Sequence, residues 1–173
     1  MTSSTDAVTE WPLAIYRSLR EAGVTQASYV PDAGHARLIR ALHDDPQVRT
    51  TVLTTEEEGV ALAAGAWLGG NRAVLLMQSS GVGNCINLLS LAKSCRFPLT
   101  LLVTMRGEWA EFNPWQVPMS RATQPSLEAI GLKVMRAETP EDLVETVESA
   151  ASLAYDCDQQ IAVLIGQRLI GKK

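Results

Sequence analysis

The chain has little of what would take it outside an ordinary soluble fold. It carries only three cysteines, Cys85, Cys95 and Cys157. They form an odd set without CxxC or Cys/His ligand spacing, which argues against a disulfide framework or a structural zinc site and for a reducing cytosol. No run reaches the ~18 uninterrupted apolar residues of a membrane-spanning helix. The opening MTSSTDAVTEWPLAIYRSLREAG lacks the charged-then-apolar layout of a secretory leader. The expectation is a cytoplasmic protein with no membrane span. Basic residues are scattered and the net charge is -4, which speaks against a nucleic-acid surface. Also missing are the phosphate loop GxxxxGK[ST] and the elbow GxSxG that would expose Ser79 or Ser80 as a nucleophile.

What is present is a regular alternation. Trp11, Ile15, Leu19 and Ala22 recur at helical spacing before Gly23, and a short strand ends at SYVP. The pattern continues with a helix over 36–43, the strand VRTTVL, a helix over 56–68 and the strand AVLLM. It then predicts a helix after Gly83, the strand LTLLVTM, an irregular segment from Arg106 to about Gln124, the strand LKVMRA, a helix over 140–155 and the strand IAVLI. Strands that read as continuous apolar runs are covered on both faces. The expected fold class is therefore α/β, a doubly wound, mostly parallel six-stranded sheet with helices on both faces, in a single domain over 1–173. In such a sheet ligands bind beyond the carboxyl ends of the strands.

Those ends hold the unusual residues. Three glutamates head TTEEEGVALAAGAWLGG. Acids in a first helical turn suit the helix dipole, and Thr55 with Glu58 reads as a capping box. At about 100° per residue, Glu57 continues into Val60, Ala61, Ala64 and Leu68, whereas Glu56 falls near Val60, Ala63 and Trp67. Periodicity leaves the choice between the two open. A carboxyl held beside apolar surface has its charged form disfavoured, which equips it to share a proton.

The stretch MQSSGVGNCINLL sets Gly81 and Gly83 between strand and helix, a partial match to the dinucleotide fingerprint GxGxxG with Ile86 in place of the third glycine. His43 reads as exposed near a helix end, while His35, just after VPDAG, admits a ligand-facing or a structural role. Cys85 and Cys95 read as small buried residues. The segment MRGEWAEFNPWQVPM, with Trp109, Phe112 and Trp115, is too aromatic for a merely solvated loop. It is expected to pack against a ligand, a partner chain or the domain itself.

In this order, VPDAGHARLI, TTEEEGVALAAGAWL, LLMQSSGVGNCINLL and RGEWAEFNPWQVPM resemble the pyrimidine-binding domain of thiamine diphosphate-dependent decarboxylases, in particular the sulfopyruvate and phosphonopyruvate decarboxylases. The resemblance implies that Glu57, two residues before Gly59, hydrogen-bonds the ring nitrogen of the cofactor's aminopyrimidine. It also implies that Pro31, Asp32, Gln78, Gly81 and Asn84 lie near the cofactor, and that His35, Arg106, Asn113 and Gln116 face a small anionic 2-oxoacid. Arg106 enters because its guanidinium can fork to carboxylate, sulfonate or phosphonate oxygens.

Two departures from the family pattern stand out. Ala33 occupies a position where relatives often carry a hydroxyl, and the GDG-then-Asn motif that holds magnesium and the diphosphate is missing. The resemblance therefore implies a diphosphate-binding β subunit that supplies magnesium, in an α2β2 assembly. Two other readings are a non-catalytic regulatory or partner domain of this fold, and a stand-alone nucleotide binder using SGVGN.

Overall fold

Apolar runs become the centre of the sheet. In the computed structural model, which describes residues 4–172, six strands hydrogen-bond in the order β2-β1-β3-β4-β6-β5, every pair parallel. Residues 1–3, part of the stretch read for a leader, and residue 173 lie outside that range. The elements follow one another as α1 (Ser4–Glu21), β1 (Val24–Tyr29), α2 (Ala36–Asp44), β2 (Arg49–Val52), α3 (Glu57–Leu68) and β3 (Arg72–Gln78). After these come α4 (Ser79–Cys95), β4 (Leu99–Thr104), α5 (Gln116–Ala129), β5 (Lys133–Ala137), α6 (Pro140–Tyr155), β6 (Gln160–Ile165) and α7 (Gln167–Ile170).

Every residue of β4 and β6 is buried, as fits strands covered on both faces. The edge strands β2 and β5 are partly exposed. One core cluster joins α1, α2 and α6 to the sheet through Ile15, Leu19, Leu38, Leu42, Leu143 and Val147. The other joins α3, α4 and α5 through Val60, Ala63, Val82, Leu89 and Leu127. Among the described residues no helix is long and apolar enough to cross a membrane.

Two local expectations are corrected. The helix expected after Gly83 starts at Ser79, directly off β3, so SGVG is helical and not a phosphate-cradling loop. The segment expected to stay irregular to about Gln124 is helical from Gln116. Pro118 sits in that first turn, where no intrahelical partner for an N–H is needed, and Pro125 lies inside the helix.

Strand order reverses between β1 and β3, and this switch point opens a crevice at their carboxyl ends. His35, after β1, lies buried against β3 and β4. The ring is 1% exposed, with Nε2 at 3.3 Å from the Met77 carbonyl and 3.1 Å from that of Leu102. Two acceptor partners require Nε2 to carry the proton. Nδ1 has no partner among the described residues, so the ring is a neutral brace between β3 and β4 and not a group a substrate reaches. Burial pushes the His35 pKa below the ordinary 6.5, against the opposing pull of Asp32 and the two carbonyls.

The unfolded chain therefore binds a proton at His35 that the folded chain refuses. Stability is expected to fall as pH drops below 6.5, at up to about 1.4 kcal/mol per pH unit until the folded value is passed. Denaturant titration across that range checks it; an identical slope in His35→Gln would remove His35 as the cause.

Candidate active site

The start of α3 decides which glutamate faces the protein. Glu56 is the N-cap residue and takes up helical backbone angles, and Gly59, Val60, Ala63 and Ala66 form the buried face behind it. Glu56 shares that face and is 7% exposed. Glu57 instead shares the face of Ala61 and Leu68, points to solvent and is exposed; Leu68 is 80% exposed. Of the apolar stripe expected below Glu57, Val60 is buried and Ala64 packs against the core, while Ala61 and Leu68 lie at the surface. Glu58 is exposed as well; its Oε2 accepts the Thr54 N–H at 2.8 Å and not the Thr55 N–H that the expected capping box needs, and the N-cap is Glu56, with no side-chain cap bond.

Glu56 reaches from α3 across to α4. Its Oε2 accepts from Asn84 Nδ2 at 2.8 Å. Its carboxyl lies against Gly81 so closely that a Cβ at Gly81 would overlap it. A Cβ at Gly83, by contrast, would stand 3.3 Å from Met119 Sδ on α5. The two glycines of SGVG thus serve close approach of side chains from neighbouring helices, one of them an acid. Cys85 is buried one turn further on, where desolvation, then Glu56 and Glu57, push its thiol up to about 12. It is an inert filler. Cys95, expected to be buried, is exposed at the far end of α4.

Across the crevice Asp32 is half-buried and accepts from the Thr104 hydroxyl at 2.6 Å, while Pro31 and Ala33 are exposed beside it. Gln78, at the end of β3, accepts from Gln116 Nε2 at 3.4 Å.

Arg106 does not present a fork to this crevice. Its Nε and Nη2 each lie 2.7 Å from a different oxygen of Glu111. Glu111 also accepts from the backbone N–H groups of Gly107 and Asn113, both at 3.2 Å, and from Gln167 Nε2 at 3.0 Å. The Arg106 side-chain bonds come first among the causes that hold Glu111 near pKa 2. Gln167 Oε1 in turn accepts from the N–H groups of Glu108 and Trp109, Arg136 pairs with Glu108, and the Arg168 guanidinium stacks on Trp109. Residues 106–111 are thereby clasped to the ends of β5 and β6. Phe112 and Trp115 nevertheless stand 79% and 65% exposed, so this segment packs on its own domain at one end only. Among the described residues Asn113 makes backbone bonds alone, donating to Glu111 and accepting from Gln116.

Sequence reasoning missed Thr104, Glu111 and Gln167. Nothing in their spacing marks them: Thr104 and Gln167 act on neighbours brought close by the sheet order, and Glu111 acts on Arg106 within an irregular segment. Glu56 did carry a signal, since Val60 and Ala63 repeat on its face. No group of three or more His, Cys, Asp or Glu residues that could hold a metal ion occurs among the described residues.

The fold is a parallel α/β domain in which the Glu56 carboxylate is buried against the start of α4. The chain belongs to the thiamine pyrophosphate enzymes, matching their N-terminal TPP binding domain over residues 13–121. It is 32% identical over 153 residues to the sulfopyruvate decarboxylase subunit alpha of Methanococcus maripaludis, covering 88% of this chain and 92% of that one. It is 36% identical over 137 residues to the phosphonopyruvate decarboxylase of Streptomyces viridochromogenes, covering 77% of this chain and 34% of that one. Among solved structures, 2-oxoglutarate:ferredoxin oxidoreductase from Magnetococcus marinus shares the fold at a TM-score of 0.73 and 13% identity, over 92% of this chain and 29% of that one.

Proposed function

We propose that this chain is the α subunit of a thiamine diphosphate-dependent 2-oxoacid decarboxylase of the sulfopyruvate or phosphonopyruvate type, in which Glu56 is the carboxylate that meets the cofactor's aminopyrimidine. The observation that carries the reading is the burial of Glu56 between Asn84 and Gly81 at the switch point. The fit is to half of the cofactor. A buried carboxylate can hydrogen-bond a ring nitrogen of the aminopyrimidine, whereas the described residues include no group of three or more His, Cys, Asp or Glu that could hold a metal ion.

Bound thiamine diphosphate supplies the electron sink that lets carbon dioxide leave a 2-oxoacid. This chain's residues supply position and proton control. Asn84 fixes Glu56 Oε2, which leaves Oε1 as the atom to share a proton with the ring nitrogen. Gly81 gives the carboxyl its room. Asp32, steadied by Thr104, faces the crevice from β1. The diphosphate and magnesium are assigned to a β subunit, in an α2β2 assembly.

Mixing the chain with a diphosphate-domain subunit is expected to give decarboxylation of sulfopyruvate or phosphonopyruvate that neither chain gives alone, followed as released carbon dioxide. Full activity of the second subunit by itself would favour a regulatory role for this chain. The stand-alone nucleotide reading has lost its motif, since SGVGN lies within α4.

A further inference from the structure

A cavity of about 610 Å³ opens where the end of β1 meets α2, lined by Tyr29, Pro31, Ala36, Ile39, Arg40 and Asp44 among others. Small-molecule sites have this size. Tyr29 and Ile39 pack in the core shared by α1, α2 and α6, whereas α3 and α4, which hold Glu56 and Asn84, cover the other face of the sheet. The cavity is therefore set apart from the Glu56 cleft, although Asp32, whose Oδ2 accepts from Thr104, borders it.

Tyr29 carries the first sign of a ligand. It is 5% exposed, and a phenol buried to that extent ordinarily finds a hydrogen-bond partner. Its hydroxyl has none among the described residues. Nor is that oxygen sealed from solvent, so it opens into the cavity that the residue lines.

The second sign is a split pair of charges. Arg40 and Asp44 stand one turn apart on α2, where opposite charges readily meet, yet neither side chain makes an ion pair or hydrogen bond among the described residues. Asp44 ends α2, so its carboxylate adds to the negative end of the helix, which favours a cation there. A simple anion would suit Arg40 but be repelled by Asp32 and Asp44, and a simple cation would be repelled by Arg40. A molecule bearing both charges on one carbon suits both residues, and Pro31, Ala36 and Ile39 offer its remainder an apolar wall.

We propose that this cavity binds a free α-amino acid with a large apolar side chain. The carboxylate meets the Arg40 guanidinium and the Tyr29 hydroxyl, the ammonium meets Asp44, and the side chain lies against Pro31, Ala36 and Ile39. This site goes beyond the decarboxylase reading and does not rest on it.

Calorimetric titration of the full chain with L-phenylalanine as the probe, with no cofactor or second subunit present, is expected to show saturable binding of one molecule per chain. Phenylpropanoate, which lacks the ammonium, and phenylethylammonium, which lacks the carboxylate, are each expected to bind at least about 10-fold more weakly. Arg40→Met keeps an apolar stem without the charge and is expected to weaken binding about 10–100-fold. Tyr29→Phe removes only the unmatched hydroxyl, so it is expected to weaken binding about 3–10-fold while the Tm stays level or rises. Absence of saturable binding, equal binding of either fragment, or unchanged affinity in Arg40→Met overturns the proposal. Displacement of the probe by thiamine diphosphate or sulfopyruvate overturns it too, since the cavity would then belong to the Glu56 cleft. No arm of the test needs turnover, so failure of the decarboxylase reading leaves its outcome intact.

Discussion

Glu56→Gln is expected to lower turnover of the assembled decarboxylase about 10²–10⁴-fold, with assembly intact. The substitution keeps the volume, and the side-chain oxygen of glutamine can still accept from Asn84, so α3 and α4 stay docked. What is lost is a carboxyl oxygen able to share a proton at the position Oε1 occupies. Glu57→Gln, one residue on, changes an exposed side chain and is expected to leave turnover within about twofold. Steady-state rates of both variants, beside gel filtration of the mixed subunits, separate the two glutamates. Loss in Glu57→Gln with retention in Glu56→Gln would overturn the assignment and restore the one the sequence resemblance implies.

Gly81→Ala is the second large effect. Inside an exposed helix, alanine is better than glycine by about 0.5–1 kcal/mol. At Gly81 the sign should reverse, because the new Cβ overlaps the Glu56 carboxyl. Overpacking of this kind costs about 1–3 kcal/mol. The same methyl pushes the carboxyl off Asn84, and a displacement near 1 Å is enough to reduce turnover about 10²-fold. Gly83→Ala is the matched control. Its Cβ would meet the flexible end of Met119 at 3.3 Å, which gives way, and stability is expected to stay level or rise. Thermal unfolding of the two variants reads the difference directly; a stabilised Gly81→Ala would mean that Glu56 has room to spare.

The alternation of strands and helices was legible because a parallel sheet buries both faces, and Leu99–Thr104 and Gln160–Ile165 have no polar face to obscure the run. The site was legible only in outline. Asn84, Gly81 and Gln78 were named from one motif, and α4 does bring them beside Glu56 and Gln116. Periodicity did not choose between Glu56 and Glu57, since both head apolar stripes, and packing against α4 shows only that Glu56 is the buried one of the two. Arg106 misled for a related reason. Its ion-pair partner Glu111 is five residues away in an irregular segment, where no repeat predicts which side chains turn toward one another. Pro118 and Pro125 hid α5 because proline is read as a breaker before its position in the helix is known.

The clasp on residues 106–111 has a thermodynamic consequence. Five hydrogen bonds converge on the Glu111 carboxylate, and the backbone beside Phe112 and Trp115 is ordered before anything covers those rings. Conformational entropy that a floppy loop would lose on association has already been lost in folding. A surface that docks against these rings meets a rigid edge, so its association follows rigid-body kinetics, with affinity set by how slowly the two aromatics are uncovered again.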